Sequence, residues 1–353
     1  MTGLPATMRA LRLHAWGVPP ALVEVPVPQP VGEEVLLRVE AAGLCHSDLH
    51  VMDAAEGVLP YELPFTLGHE VVGTVVATGD AAGDDLVGGR YAVHGIWACG
   101  SCRRCRTGRE NHCPSLSGPV GAGLGRDGGL ADFVLVPSAR HLVDAEGVDP
   151  VALAPLTDAG LTAFHALRPH RELLAGARVV VVGVGGLGHL ALQLLAAAGP
   201  AEVVAVDPRP EARELAARLG ATRSVGSVLD AAALVAGAGG PDADLVLDFV
   251  GSPETVGALP SLVGPGGQVA LVGSAGGRIT VAKGAELPRG WGVAAPFWGT
   301  RDDLEAVVAL AGAGLLHAET ETHSLDDAPA AYDRLRTGAV SGRAVVVPTP
   351  HSD

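Results

Sequence analysis

Four consecutive valines, Val179 to Val182, run directly into Gly183-Val184-Gly185-Gly186-Leu187-Gly188. Leu187, Leu190, Ala191, Leu194, Leu195 and Ala198 then follow at helical spacing. In a chain with 49 glycines the pattern G-x-G-x-x-G means little alone. Between a buried strand and a helix, with Asp207 nineteen residues beyond its last glycine, it specifies a dinucleotide cradle rather than a plain glycine turn. Glycines let the backbone turn sharply and approach a pyrophosphate, and the helix N-terminus presents free N–H groups to it. Asp207, ending a second strand, is suited to accept bonds from the adenosine ribose, which favours NAD over NADP. Arg209, two residues on, is placed to pair with a phosphate instead.

Around this unit strands and helices alternate. Strands are expected at Arg178–Val182, Glu202–Asp207, Asp244–Asp248 and Gln268–Val272, and a helix at Glu211–Leu219 with Gly220 as its C-cap. Such alternation predicts a doubly wound parallel sheet with helices on both faces. The first 150 or so residues read differently. Val35–Glu40 and Val71–Val76 are strand-like, and Pro26, Pro28, Pro30, Gly88 and Gly89 punctuate short runs, as in a barrel-like β domain. After about Ala295 the pattern leaves the parallel sheet, and Gly342–Pro348 makes one more strand.

The formal charge of −15 would repel a phosphate backbone, so nucleic acid is not an expected partner. With 48% hydrophobic and 18% charged residues the chain can bury a large core, which excludes global disorder. The apolar stretch Val179–Gly199 changes from strand-like to helix-like and carries five glycines, His189 and Gln193, so no membrane span is expected. Met1-Thr2-Gly3-Leu4-Pro5 has no secretory character, and a cytoplasmic location is expected.

Five cysteines are present, and four of them follow Cys99-x2-Cys102-x2-Cys105-x7-Cys113. An odd count and C-x-x-C spacing argue for metal rather than disulfides. Four thiolates suit tetrahedral structural zinc. An iron–sulfur run is the rival, since Cys113-Pro114 ends similarly, but its last spacing is x3. Cys45 stands apart, in Gly43-Leu44-Cys45-His46-Ser47-Asp48, and Gly68-His69-Glu70 lies downstream. Spacing alone leaves open whether Cys45 and His69 are core residues or metal ligands.

In this order, Cys45-His46-Ser47 after Ala-Ala-Gly, Gly68-His69-Glu70, the four-cysteine loop and the nucleotide fingerprint resemble a zinc-dependent medium-chain alcohol dehydrogenase, close to bacterial NAD-dependent secondary-alcohol and aryl-aldehyde reducing members. The resemblance implies an α/β chain: a GroES-like β-rich catalytic domain over 1–157 with a structural zinc lobe at 95–115, a Rossmann NAD-binding domain over 158–294, and a segment 295–353 returning to the catalytic domain. It implies two zinc ions per chain. Cys45 and His69 hold the catalytic one, with Glu70 beside it as an exchanging or supporting group. The third ligand is often a cysteine; here Asp158 occupies that position, an acceptable zinc ligand with the same formal charge. The competing role for Asp158 is a helix N-cap.

The resemblance further implies reversible hydride transfer between an alcohol and NAD, with zinc acidifying the alcohol. Ser47 would pass the proton to the nicotinamide ribose and on to His50. His46 would contact the pyrophosphate, Thr162 the nicotinamide, and Arg343 a phosphate. Tyr61, Leu124, Phe297 and Trp298 would line a pocket for a medium-sized apolar alcohol, ketone or aldehyde; their competing role is core or interface packing. A homodimer or homotetramer is expected. Alternatives are a polyol or amino-alcohol dehydrogenase on the same scaffold, and a non-catalytic NAD-binding protein. One departure is Gly88-Gly89-Arg90-Tyr91, where the family commonly has Gly-Asp-Arg-Val, so Arg90 lacks that carboxylate.

Overall fold

The computed structural model describes residues 3–281, 288–340 and 342–348. The chain forms two compact units, Met1–Leu161 with Thr300–Asp353, and Thr162–Gly299. The first division falls inside the helix Ala159–Leu167, which starts directly after Asp158.

In the second unit six described strands form one sheet in the order Arg223–Val225, Glu202–Val206, Arg178–Val182, Ala243–Asp248, Val263–Leu271, Gly292–Ala294. Every pairing is parallel. Numbered within the sheet this is 3-2-1-4-5-6, the doubly wound nucleotide-binding order. The valine run is buried on both faces, and Val180, Val182, Val204 and Val206 pack with Val228, Ala231, Val235 and Val246. The helix Gly188–Ala198 ends on Gly199, whose φ of 71° is left-handed and suits a residue without Cβ. The strand Val263–Leu271 begins five residues before the expected Gln268. Gly264, Pro265, Gly266 and Gly267 lie between two pairings, Val263 with Ala243 and Gln268 with Leu245, so they bulge out of the ladder, and Gly266 has a φ of 78°. Among the described residues no helix is long and apolar enough to cross a membrane.

In the first unit the central pairing is antiparallel, Val35–Gly43 against Glu70–Thr78, with Gly43 opposite Glu70. Arg343–Val347 pairs with the end of the same strand, Val345 opposite Gly43. The Leu44 amide donates to the Ala344 carbonyl at 2.9 Å. Three chain segments distant in sequence therefore meet just before Cys45. On the neighbouring strand, Arg90 donates to Glu40, which also accepts from Thr74 Oγ1 at 2.6 Å. Burial alone would raise Glu40; Arg90 and Thr74 outweigh it and hold the carboxyl low. The carboxylate missing at Gly89 is thus supplied by Glu40 across the sheet.

Gly43 has no room for a side chain: a Cβ would overlap Glu70 Oε2 and lie 3.0 Å from Glu70 Cβ. Gly43→Ala is expected to cost about 1–3 kcal/mol by overpacking. Urea unfolding checks this, and an unchanged midpoint would show that Glu70 can move aside.

His141 is buried, and burial, then the Arg140 and His94 charges, push its pKa down to about 3. Below the ordinary 6.5 the unfolded chain takes up this proton and the folded chain does not, so stability falls as pH drops from 6.5 towards 3. By pH ~5 this single group accounts for roughly 2 kcal/mol. The urea midpoint of His141→Gln should fall less steeply between pH 7 and 5 than that of the wild type; parallel slopes would contradict the assignment.

Candidate functional site

In the second unit, Gly183 has φ of 86° and makes the tight turn after the strand. A Cβ on Gly188 would strike the Gly183 carbonyl, so this glycine permits close packing of helix on turn. A Cβ on Gly185 would meet nothing within 4 Å, which leaves open space above that backbone. Gly186 and Leu187 complete the turn into the helix Gly188–Ala198. The three roles are those that a pyrophosphate-binding loop requires. His189 bonds back to the Gly185 carbonyl at 2.8 Å and stiffens the first turn. Asp207 Oδ2 accepts from the Val184 amide at 2.9 Å, locking the second strand's end to the loop. Burial would raise the Asp207 pKa; bonds from Arg209 and the two amides outweigh it and keep the group ionised. Thr162 is buried in the helix Ala159–Leu167.

In the first unit the four sulfurs of Cys99, Cys102, Cys105 and Cys113 converge. Their separations are 3.9 Å for Cys99–Cys105, 3.5 Å for Cys102–Cys105, 3.8 Å for Cys102–Cys113 and 3.5 Å for Cys99–Cys113. A tetrahedron with Zn–S of 2.3 Å has edges of about 3.8 Å. Bonds from the Ser101 and Cys102 amides and the Ser101 hydroxyl pull the Cys99 thiol down to about 5, so a thiolate is available. The donor set fits structural zinc.

The second cluster gathers Cys45, His69, Glu70 and Asp158, each offering one ligand atom within 4.8 Å of the others. Cys45 Sγ lies 3.7 Å from Asp158 Oδ2, and His69 Nε2 lies 3.4 Å from the same oxygen. Tetrahedral zinc would place such S···O and N···O pairs about 3.6 and 3.4 Å apart. Asp158 follows the short helix Ala154–Thr157, and its side chain turns to this cluster. Burial alone would lower the His69 pKa, but Asp48, Asp158 and Cys45 raise it well above its ordinary value. The pocket thus stabilises positive charge at the point where the three donors face one another, and it fits a divalent cation.

Asp48 organises this centre, a role not foreseen from the sequence. One carboxylate oxygen accepts from the Cys45 amide at 3.0 Å, and the other bonds His69 Nδ1 at 2.9 Å. The imidazole is thereby oriented with Nε2 towards Asp158. Asp48 sits three residues after Cys45, the spacing at which a side chain returns to the backbone at a helix start, and this was the available signal. Glu70 is buried against Arg343, a pairing likewise not foreseen. Burial pushes the Glu70 carboxyl up to about 7 although Arg343 opposes the shift, and its Oε2 has no hydrogen-bond partner among the described residues.

Ser47 Oγ lies 3.7 Å from Cys45 Sγ. His46 and His50 are exposed on the same short helix, His46–Met52. Tyr61 packs edge-on against Phe65, ring centroids 6.1 Å apart, and Leu124 is buried nearby in the same unit. In the second unit Phe297 is exposed, whereas Trp298 is buried and adopts a φ of 53°, rare for a residue with a side chain.

Residues 32–146 match the model of the alcohol dehydrogenase GroES-like domain, and residues 186–313 that of the zinc-binding dehydrogenases. An NAD-dependent alcohol dehydrogenase of Sulfurisphaera tokodaii is 34% identical over 97% of this chain and 100% of its own. A D-arabinose 1-dehydrogenase (NADP(+)) of Saccharolobus solfataricus is 34% identical over 96% of this chain and 97% of its own. Among solved structures, acetophenone reductase from Geotrichum candidum in complex with NAD is 32% identical with a TM-score of 0.87, covering 98% of both chains. The two matched domains and full-length relatives at this identity place the chain in the zinc-dependent medium-chain alcohol dehydrogenase family.

Proposed function

We propose that this protein is an NAD-dependent zinc alcohol dehydrogenase, moving hydride reversibly between NAD and a medium-sized apolar alcohol, secondary or aryl, to give the ketone or aldehyde. The observation that carries this reading is the convergence of Cys45, His69 and Asp158 on one buried point, with the Ser47 hydroxyl beside it. Cys45, His69 and Asp158 would hold the catalytic zinc and the four-cysteine lobe the structural one. Zinc in the first position supplies Lewis acidity towards an alcohol or carbonyl oxygen.

The chain's own residues then divide the remaining work. Ser47 accepts the alcohol proton, since a hydroxyl both accepts and donates. Ser47 and His50 are three apart on one helix and share a face, so His50 carries that proton outward to solvent. Glu70 stands beside the ligands as an exchanging group, and its buried pairing with Arg343 sets its charge. The glycine loop and Asp207 hold the dinucleotide, with His46 and Arg343 towards its phosphates and Thr162 towards the nicotinamide. Tyr61, Leu124, Phe297 and Trp298 give the substrate apolar contacts, and the NAD-bound acetophenone reductase relative supports an aryl ketone partner. A polyol or sugar is the second reading, favoured by the arabinose-oxidising relative. The unpaired thiols of all five cysteines support a cytoplasmic location, and a homodimer or homotetramer is proposed on the family resemblance.

Asp158→Ala is expected to lower bound zinc from about two ions per chain to about one and to abolish alcohol-dependent NADH formation. Retention of both ions and full activity would remove Asp158 from the ligand set. His50→Gln should distort the pH–rate profile of alcohol oxidation and slow it by about 10²-fold at low pH; an unchanged profile would take His50 out of the relay. A screen of primary, secondary, aryl and polyol substrates, read by NADH absorbance with zinc counted in the same sample, decides between the two substrate classes.

A further inference from the structure

We propose that this chain accepts NADP as well as NAD, and that Arg209 is the residue that selects between them. The inference rests on the nucleotide-binding reading above and deepens it. It stands on how Asp207 is partnered. Oδ1 accepts from the Arg209 amide and from Arg209 Nε, both at 3.0 Å. Oδ2 accepts from the Val184 amide at 2.9 Å and from Arg209 Nη2 at 3.1 Å. A carboxylate offers about four acceptor sites, so this one is saturated by protein donors before any ribose hydroxyl arrives. Its side chain is 5% exposed, whereas the guanidinium over it is 44% exposed. A ligand approaching the end of this strand therefore meets Arg209 first.

The surrounding charge points the same way. Arg213 Nη1 donates to the carbonyls of Asp207 and Pro208 at 2.9 and 2.8 Å, which holds a second guanidinium against this turn. The helix Pro210–Arg218 carries the acidic groups Glu211 and Glu214 and, besides Arg213, the basic Arg218. From Asp207 to Arg218 three carboxylates and three guanidiniums cancel, so a 2′-phosphate entering here does not face the uncompensated negative charge that excludes it at a lone aspartate. The positive end of that helix adds to the attraction.

One side-chain rotation serves both ligands. With NADP, the Arg209 guanidinium leaves Asp207 for the 2′-phosphate, whose paired oxygens accept bidentate bonds from it. Asp207 keeps the bonds from the two backbone amides. With NAD, the same rotation frees one acceptor site on each carboxylate oxygen for the ribose hydroxyls. Asp207 alone would predict strict NAD use; Asp207 under Arg209 predicts use of both.

Calorimetric titration of the full chain with 5′-AMP and with adenosine 2′,5′-bisphosphate tests this without turnover. The two affinities should agree within about ten-fold, and Arg209→Ala should weaken the bisphosphate at least about ten-fold more than it weakens 5′-AMP. The ratio of kcat/KM for NADP over NAD should fall in parallel, and Arg209→Lys should restore part of it. A wild-type gap larger than ten-fold, or equal losses for both probes in Arg209→Ala, overturns the inference while the nucleotide site stands. Failure of 5′-AMP to bind the wild type overturns the nucleotide reading and this inference with it.

Discussion

The pairing of Gly43 with Glu70 across two antiparallel strands is the contact on which the buried centre depends. Cys45 leaves one strand two residues past Gly43, and His69 enters the other one residue before Glu70. The register therefore sets a thiol and an imidazole side by side, and a slip of one residue would turn the two strands' side chains to opposite faces. The absence of a side chain at Gly43 lets the Glu70 carboxyl occupy that space. The C-terminal strand closes on the same point and brings Arg343 to Glu70. Sheet formation and site formation are here one event.

What the sheet assembles is a cluster of ionisable groups with little water. Asp48, His69 and Glu70 are fully buried and Asp158 nearly so. Unpaired charge in such a place costs several kcal/mol per group, so the cluster must be internally balanced. Asp48 balances and orients His69, and Arg343 balances Glu70, whose carboxyl nevertheless remains raised to about 7. Asp158 faces both the Cys45 sulfur and the imidazole. A divalent cation between a thiolate, a carboxylate and an imidazole completes that balance.

The nucleotide unit was readable almost entirely from local pattern, because each of its parts is short-range. A strand buried on both faces is a continuous valine run, and a glycine with positive φ at the strand's end is a local demand of the turn. Parallel pairing follows from alternation, since crossover helices permit little else. The limit of that reading was longer-range pairing. The strand that the sequence starts at Gln268 also pairs through Val263 with Ala243, and Gly264 to Gly267 bulge between the two pairings. In the same way Arg90 lost a carboxylate in sequence and recovered one in space, from Glu40.

Spacing and residue type were enough to mark the four-thiol lobe, because zinc's preference for sulfur donors is written in residue identity; motif order marked the family, and only through that resemblance were Cys45, His69 and Asp158 expected as a set. Only the tertiary structure decided what surrounds them. The Asp48 bridge between the Cys45 amide and His69, the burial of Glu70 on Arg343 and the cover of Arg209 over Asp207 each depend on where a side chain points. Glu70 and Arg343 are brought together from 273 residues apart. Sequence spacing carries no information about such pairs, because strand register and burial choose a charged group's partner after the chain has folded.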